Sequence, residues 1–113
     1  MKYYPDKWLV IKITAQATGK VHYRVFATWH GGYMGSDSWK LNSGIVVATE
    51  DEKSFSFAGD SGSVYRCAKH SYSTTAYGSS VLKNLIDTAE LIDIEIMPED
   101  TDWANFKYVE SNT

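Results

Sequence analysis

The sequence predicts an α+β fold: a curled, mainly antiparallel sheet of about six strands with one amphipathic helix packed on its concave face. The expected order is β-β-loop-β-β-β-α-β. Three observations predict it. A stretch of eight residues and one of nine near the start alternate apolar and polar side chains and are joined by a glycine turn. Three further short Val-, Ile-, Phe- and Tyr-containing segments follow at regular spacing, separated by polar turns. The apolar spacing then switches once to threes and fours, which marks a single helix that must lie on a sheet face.

The elements follow in order. "KWLVIKIT" (7–14) places Leu9, Ile11 and Ile13 on one face and Lys12 and Thr14 on the other. "AQATGK" turns the chain at Gly19. "VHYRVFATW" (21–29) returns with Val21, Tyr23, Val25, Ala27 and Trp29 on one face and His22, Arg24, Phe26 and Thr28 on the other. A glycine-rich loop follows. "GIVVAT" (44–49), "SFSFA" (54–58) and "SVYRCAK" (63–69) are the next strands, with turns at "EDEK" and "GDSG". From Tyr77 the stripe Gly78, Val81, Leu82, Leu85, Ile86, Ala89 predicts a helix ending near Ala89, with Ser73, Thr74 and Thr75 as candidate N-caps. Gly78 weakens its first turn. "LIDIEIM" (91–97) returns to period two, with Ile92, Ile94 and Ile96 inward and Asp93 and Glu95 outward, and Pro98 stops it. This last strand is expected beside the first. Residues 98–113 read as a partly ordered acidic tail that Trp103, Phe106 and Tyr108 pin to the body.

The 113 residues suit a single domain spanning 1–113. Hydrophobic residues make up 43% and charged residues 22%, as in an ordinary globular chain with a core of its own. The one cysteine, Cys67, excludes an internal disulfide and a cysteine-based zinc site, and fits a reducing cytoplasm. "MKYYPDKW" has no apolar segment of a secretory signal, and no apolar run is long enough to cross a membrane. The net charge of −3 is unevenly spread: residues 1–86 carry a net +4 and residues 87–113 a net −7. That split bears on partners.

Few motifs point to catalysis. "GDSG" (59–62) copies the nucleophile tetrapeptide of chymotrypsin-like proteases, whose two barrels need about twice this length, and its residues suit a tight turn. His22, His30 and His70 show no metal-ligand spacing. Cys67 falls inside a strand, where a thiol behaves as a small apolar group. No phosphate loop or dinucleotide fingerprint occurs. The reading is therefore non-enzymatic, without cofactor, metal or catalytic residue.

Two features suit binding. In "TWHGGYMGSDSWKLNSG" (28–44), Trp29, His30, Tyr33, Asp37, Trp39 and Lys40 form a candidate binding loop, with Trp29 and Leu41 as anchors. The other reading is a compact corner packed on its own side chains. At the far end, Asp93, Glu95, Glu99, Asp100 and Asp102 form a candidate acidic strip for a basic partner. The basic residues Lys7, Lys12, Lys20, Arg24, Lys40, Arg66 and Lys69 are spread over several strands and match no nucleic-acid-binding signature.

"YRVFATWHGGYMGSDSWKLNSGI" (23–45) and "SGSVYRCAKHSYSTTAYGSSVLKNL" (61–85) together resemble small accessory proteins of bacteriophages and mobile elements. The resemblance covers a little under half of the chain and carries no catalytic residues with it. It implies a bacterial host cytoplasm and inhibition or modulation of a host complex by stoichiometric binding, of the anti-CRISPR or other anti-defence kind. The expected partner is a host protein or protein–nucleic acid complex, with no membrane, and the chain a monomer or homodimer. The alternative is a small-ligand or nucleotide-binding, signal-sequestering protein, or a single-stranded nucleic-acid binder that stacks bases on the loop aromatics.

Overall fold

The structure is a computed structural model that describes residues 1–31 and 35–109. Its strands are β1 (Lys2–Tyr3), β2 (Lys7–Ala15), β3 (Val21–Trp29), β4 (Ser38–Leu41), β5 (Ile45–Glu50), β6 (Ser54–Gly59), β7 (Val64–Ala68) and β8 (Ile92–Ile96), with one helix, α1 (Ala76–Thr88), before β8. The α+β class with a mainly antiparallel architecture holds. The single sheet resolves into two of four strands, ordered β1-β7-β6-β5 and β4-β3-β2-β8, and neither closes into a barrel. All pairings are antiparallel except β1 with β7.

The split follows from the first half of β2. Trp8, Leu9, Val10 and Ile11 are all buried, so this strand has an apolar side chain on each face in turn. Trp8 and Val10 join Val25 and Ala27 of β3 against Ile45, Ala48, Phe57, Tyr65 and Cys67 of the first sheet. Leu9, Ile11 and Ile13 join Phe26 against Leu82 of α1. The second sheet is thus the middle of three layers, and the helix covers its outer face instead of the inside of one curled sheet. Lys12 and Thr14 share the Trp8 face, but further along, where they are only half-buried.

Two short strands lie outside the sequence expectation. β1 adds two residues to the edge of the first sheet. β4 pairs with β3 from Phe26↔Leu41 to Trp29↔Ser38, which shortens the long loop to residues 30–37. β8 lies beside β2, the first long strand, as expected. Ile92 and Ile94 pack under the helix, but Ile96 is half exposed at the strand's end.

Residues expected as an acidic tail contribute to the core. Trp103 and Tyr108 are 1% and 5% exposed between the sheets. The Tyr108 hydroxyl donates to the Trp103 carbonyl at 2.6 Å, which closes this segment on itself. Trp8 stands at the centre: its ring lies 4.7 Å from Tyr72, 5.4 Å from Phe57 and 5.8 Å from Trp103, and its indole N–H donates to the Ala68 carbonyl at 2.7 Å.

The helix starts as its cap predicts: the Thr75 hydroxyl accepts from the Gly78 N–H at 2.9 Å. Gly78 is buried because the helix approaches the sheet closely there. A Cβ at this position would lie 2.5 Å from Thr28 Cγ2 and 2.2 Å from Thr74 Oγ1.

Gly78→Ala should therefore lower the melting temperature, although alanine is favoured by about 1 kcal/mol inside an exposed helix; overpacking costs about 1–3 kcal/mol and outweighs that gain. Trp8→Ala should cost about 3–5 kcal/mol in urea unfolding, more than any substitution on the exposed face of α1.

Candidate functional site

The glycine-rich loop is a β3–β4 hairpin connection held at both ends. The Gly31 N–H donates to Asp37 Oδ1 at 2.9 Å, and the His30 N–H to Asp6 Oδ2 at 2.8 Å. Gly31 and Gly35 allow the two arms to touch: a Cβ at Gly35 would lie 2.4 Å from the Gly31 carbonyl oxygen. Two of these glycines thus serve close approach of backbone. Tyr33, with Gly32 and Met34, lies outside the described residues.

The remaining loop candidates do not share one surface. Opposed residues in an antiparallel pair point to the same face. Trp39 opposes Thr28 and so faces the helix side, where its ring lies 5.6 Å from Phe26 and it keeps 36% exposure. Lys40 opposes Ala27 and faces the other way, with its ammonium 5.0 Å from the centre of the Tyr3 ring. Trp29 is half-buried, and its indole N–H donates to the Tyr4 carbonyl at 3.0 Å. His30 is exposed at the hairpin mouth.

The acidic residues are near one another in sequence and all lie at the surface. Asp93, Glu95, Glu99, Asp100 and Asp102 are all exposed. Among the described residues the ion pairs are Arg66–Asp51 and Lys69–Glu50, so none uses this strip. Asp93 accepts from the Gln16 amide at 3.2 Å, and Asp102 from the Asn105 amide at 2.9 Å.

Its first two members, Asp93 and Glu95, lie on an open sheet edge, and the other three follow in the segment after β8. The Met97 N–H donates to the Val10 carbonyl and the Gln16 N–H to the Leu91 carbonyl, which sets the alternation between β2 and β8. Odd-numbered residues of β8 bond to β2, and the N–H and C=O groups of Ile92, Ile94 and Ile96 point outward. At the end of this ladder the Tyr72 hydroxyl takes the Val10 N–H at 3.3 Å and donates to the Met97 carbonyl at 2.5 Å. Burial raises the Tyr72 pKa to about 12, so this bridge keeps its proton at neutral pH.

A cleft that sequence reasoning did not anticipate lies at the opposite edge of the same sheet. It has a volume of about 490 Å³ and is walled by Lys20, Val21, His22 and Arg24 on one side, and by residues 43–46, Asp60 and Tyr108 on the other. It opens where β4 ends. Asn42 continues the ladder for one more residue, donating its N–H to the Val25 carbonyl and accepting the Val25 N–H on Oδ1 at 2.8 Å. The chain then crosses to the first sheet through Gly44, at φ +135°. Tyr23 and Val21 are thereby left with outward backbone groups. Arg24 Nε donates to His22 Nε2 at 3.2 Å. Burial first, and then the Arg24 charge, lowers the His22 pKa, with Asp60 pulling it upward. The imidazole is accordingly the neutral acceptor of that bond.

The groups that raised the question of catalysis are accounted for structurally. "GDSG" turns β6 into β7, with the Gly62 N–H donating to the Gly59 carbonyl at 3.0 Å. Ser61 pairs with the Ser43 hydroxyl at 3.0 Å, with no histidine partner in that contact. Cys67 is fully buried and burial pushes its thiol pKa far up, which removes thiolate chemistry from this residue. Among the described residues no three of His, Cys, Asp and Glu come together as a metal set, and no helix is long and apolar enough to cross a membrane.

Comparison with known proteins finds no matching family model, curated protein or solved structure.

The native Cys67 thiol should resist a thiol-specific disulfide reagent at pH 8 and react fully once urea unfolds the chain. Fast native reaction, read by absorbance, would contradict its burial.

Proposed function

We propose that the chain is a non-catalytic binding protein that modulates or inhibits a larger assembly by stoichiometric contact, through the acidic edge formed by β8 and residues 99–102. The resemblance to phage and mobile-element accessory proteins suggests a host protein or protein–nucleic acid complex as that assembly.

One observation carries the reading. β8 ends its sheet with outward backbone groups at Ile92, Ile94 and Ile96, and alternates them with exposed Asp93 and Glu95. An added extended strand would gain main-chain hydrogen bonds and one side-chain contact per residue. Its side chains opposite the isoleucines would meet the helix side. A groove of about 200 Å³ lies there, lined by Leu9, Leu82, Ile86 and Ile96 among others. Those opposite Asp93 and Glu95 would meet carboxylates. The fitting partner is therefore a protein segment that alternates apolar and basic residues.

A second copy fits worse. Two β8 strands paired antiparallel about Ile94 would set Asp93 of each directly against Glu95 of the other, and like charges in that position repel. The same charges that discourage edge-to-edge association favour a basic strand.

A six-residue peptide alternating lysine and valine should bind at low salt and slow amide exchange at Ile92, Ile94 and Ile96, as read by NMR. Affinity should fall at least tenfold in Asp93→Lys/Glu95→Lys and fall with added salt, while Trp39→Ala leaves it unchanged. No perturbation of β8 by millimolar peptide, or equal binding by the charge-reversed variant, would overturn the reading.

A further inference from the structure

We propose that the cleft between β3 and the Ser43–Val46 crossing is a binding site for a small molecule bearing an oxyanion, with its phosphate or carboxylate held by Arg24 and Lys20. This site is separate from the acidic edge and does not depend on it: β2 and β3 lie between β8 and the cleft.

The argument starts from charge. Lys20 and Arg24 lie on one wall of the cleft. Among the described residues neither has a carboxylate within ion-pair distance, whereas Arg66 and Lys69 both do. The one carboxylate in the lining, Asp60, is outside ion-pair distance of both, so two cations share the concavity with their charge only partly offset, and an anion relieves their repulsion. Arg24 is also held in place. Its Nε–H is committed to the neutral His22 imidazole, which leaves the two terminal nitrogens as a fork. A planar fork fixed in this way matches the two oxygens of a carboxylate or phosphate.

The opposite wall supplies polar groups of a second kind. Ser43 lines it, and its hydroxyl pairs at 3.0 Å with that of Ser61, which lies outside the lining. Asn42, next to Ser43 in the chain and not itself part of the lining, is 2% exposed, and its amide nitrogen has no acceptor among the described residues. A buried donor without a partner is uncommon in a folded chain and marks a place where an acceptor is missing. That nitrogen sits beside Gly59, where a Cβ would come within 3.4 Å of it and 2.6 Å of Ser43 Oγ. Asp60 also lines the cleft. Its carboxylate repels a bare anion and favours a ligand that places a hydrogen-bond donor beside its oxyanion. Val21, Ile45, Val46 and Tyr108 supply apolar wall. The volume lies in the range of small-molecule sites, about 300–1,000 Å³.

The test is calorimetric titration of the full chain at low ionic strength with three probes: inorganic phosphate, adenosine 5′-monophosphate and succinate. At least one should bind saturably, and the phosphate and succinate arms separate the two oxyanion chemistries. Arg24→Ala should weaken binding at least tenfold, Lys20→Ala several-fold, and Lys40→Ala not at all. Asp60→Asn should strengthen inorganic phosphate, because it removes the repelling carboxylate. Lys20 and Asp60 are exposed, so their variants keep the test decisive should Arg24→Ala unfold. Absence of saturable binding of all three probes to the wild-type chain would overturn the proposal. So would binding that the Arg24, Lys20 and Asp60 variants all leave unchanged.

Discussion

The Trp8 indole is the contact on which the remaining architecture depends. Its ring lies in the second sheet and touches aromatic rings from three other parts of the chain: the first sheet through Phe55 and Phe57, the connector before the helix through Tyr72, and the C-terminal segment through Trp103. Its N–H and its backbone are both bonded to the 68–71 connector. Tilted and edge-on pairs of this kind add to what area burial alone supplies. One side chain thereby fixes the spacing of the sheets, the position from which the helix starts and the return of the C-terminal segment. Tyr72 extends the same arrangement by lending its hydroxyl to the end of the β2–β8 ladder.

Much of this was legible in the sequence, and the parts that were not share a physical cause. The hairpin of β2 and β3, the helix with a cap among Ser73, Thr74 and Thr75, and the existence of β8 all follow from periodicity and local chemistry, whereas the partner of β8 does not. The burial of Trp8 and Val10 is masked in the sequence because Lys12 and Thr14 share their face and make it look solvated. The strand changes character along its length, since the first sheet covers only its first half. β1 and β4 have two and four residues, too few for alternation to register, and their pairing is settled by tertiary neighbours. Trp103 and Tyr108 are surrounded by acidic residues, so their burial was visible only as a reason for that segment to be pinned.

The candidate sites were legible to different degrees. Exposure of Asp93 and Glu95 follows directly from alternation with isoleucine. The loop set is separated by the same rule applied to β4: Trp39 and Lys40 are neighbours in a strand and must point to opposite faces. Gly31 and Gly35 mark close backbone approach, which in sequence has the same appearance as a flexible recognition loop. The cleft had no local signal. Lys20, Arg24, Ser43 and Asp60 come from three separate stretches and meet only because the chain leaves one sheet for the other after Asn42.

The three-layer arrangement also explains where interaction surfaces can lie. The middle sheet has one face against the first sheet and the other against α1, so both of its faces are largely spent on the core. What it has left to offer are its edges. On the β8 side the edge is a full strand that carries the exposed carboxylates of Asp93 and Glu95. On the other side β4 covers only part of β3, and the uncovered part becomes a cleft with cations on its wall. The two edges differ in charge: Asp93 and Glu95 line one, and Lys20 and Arg24, with Asp60 across from them, line the other. With both faces of the middle sheet largely buried, its edges are where it stays open, and under the two proposals above their different charge would keep the ligands distinct.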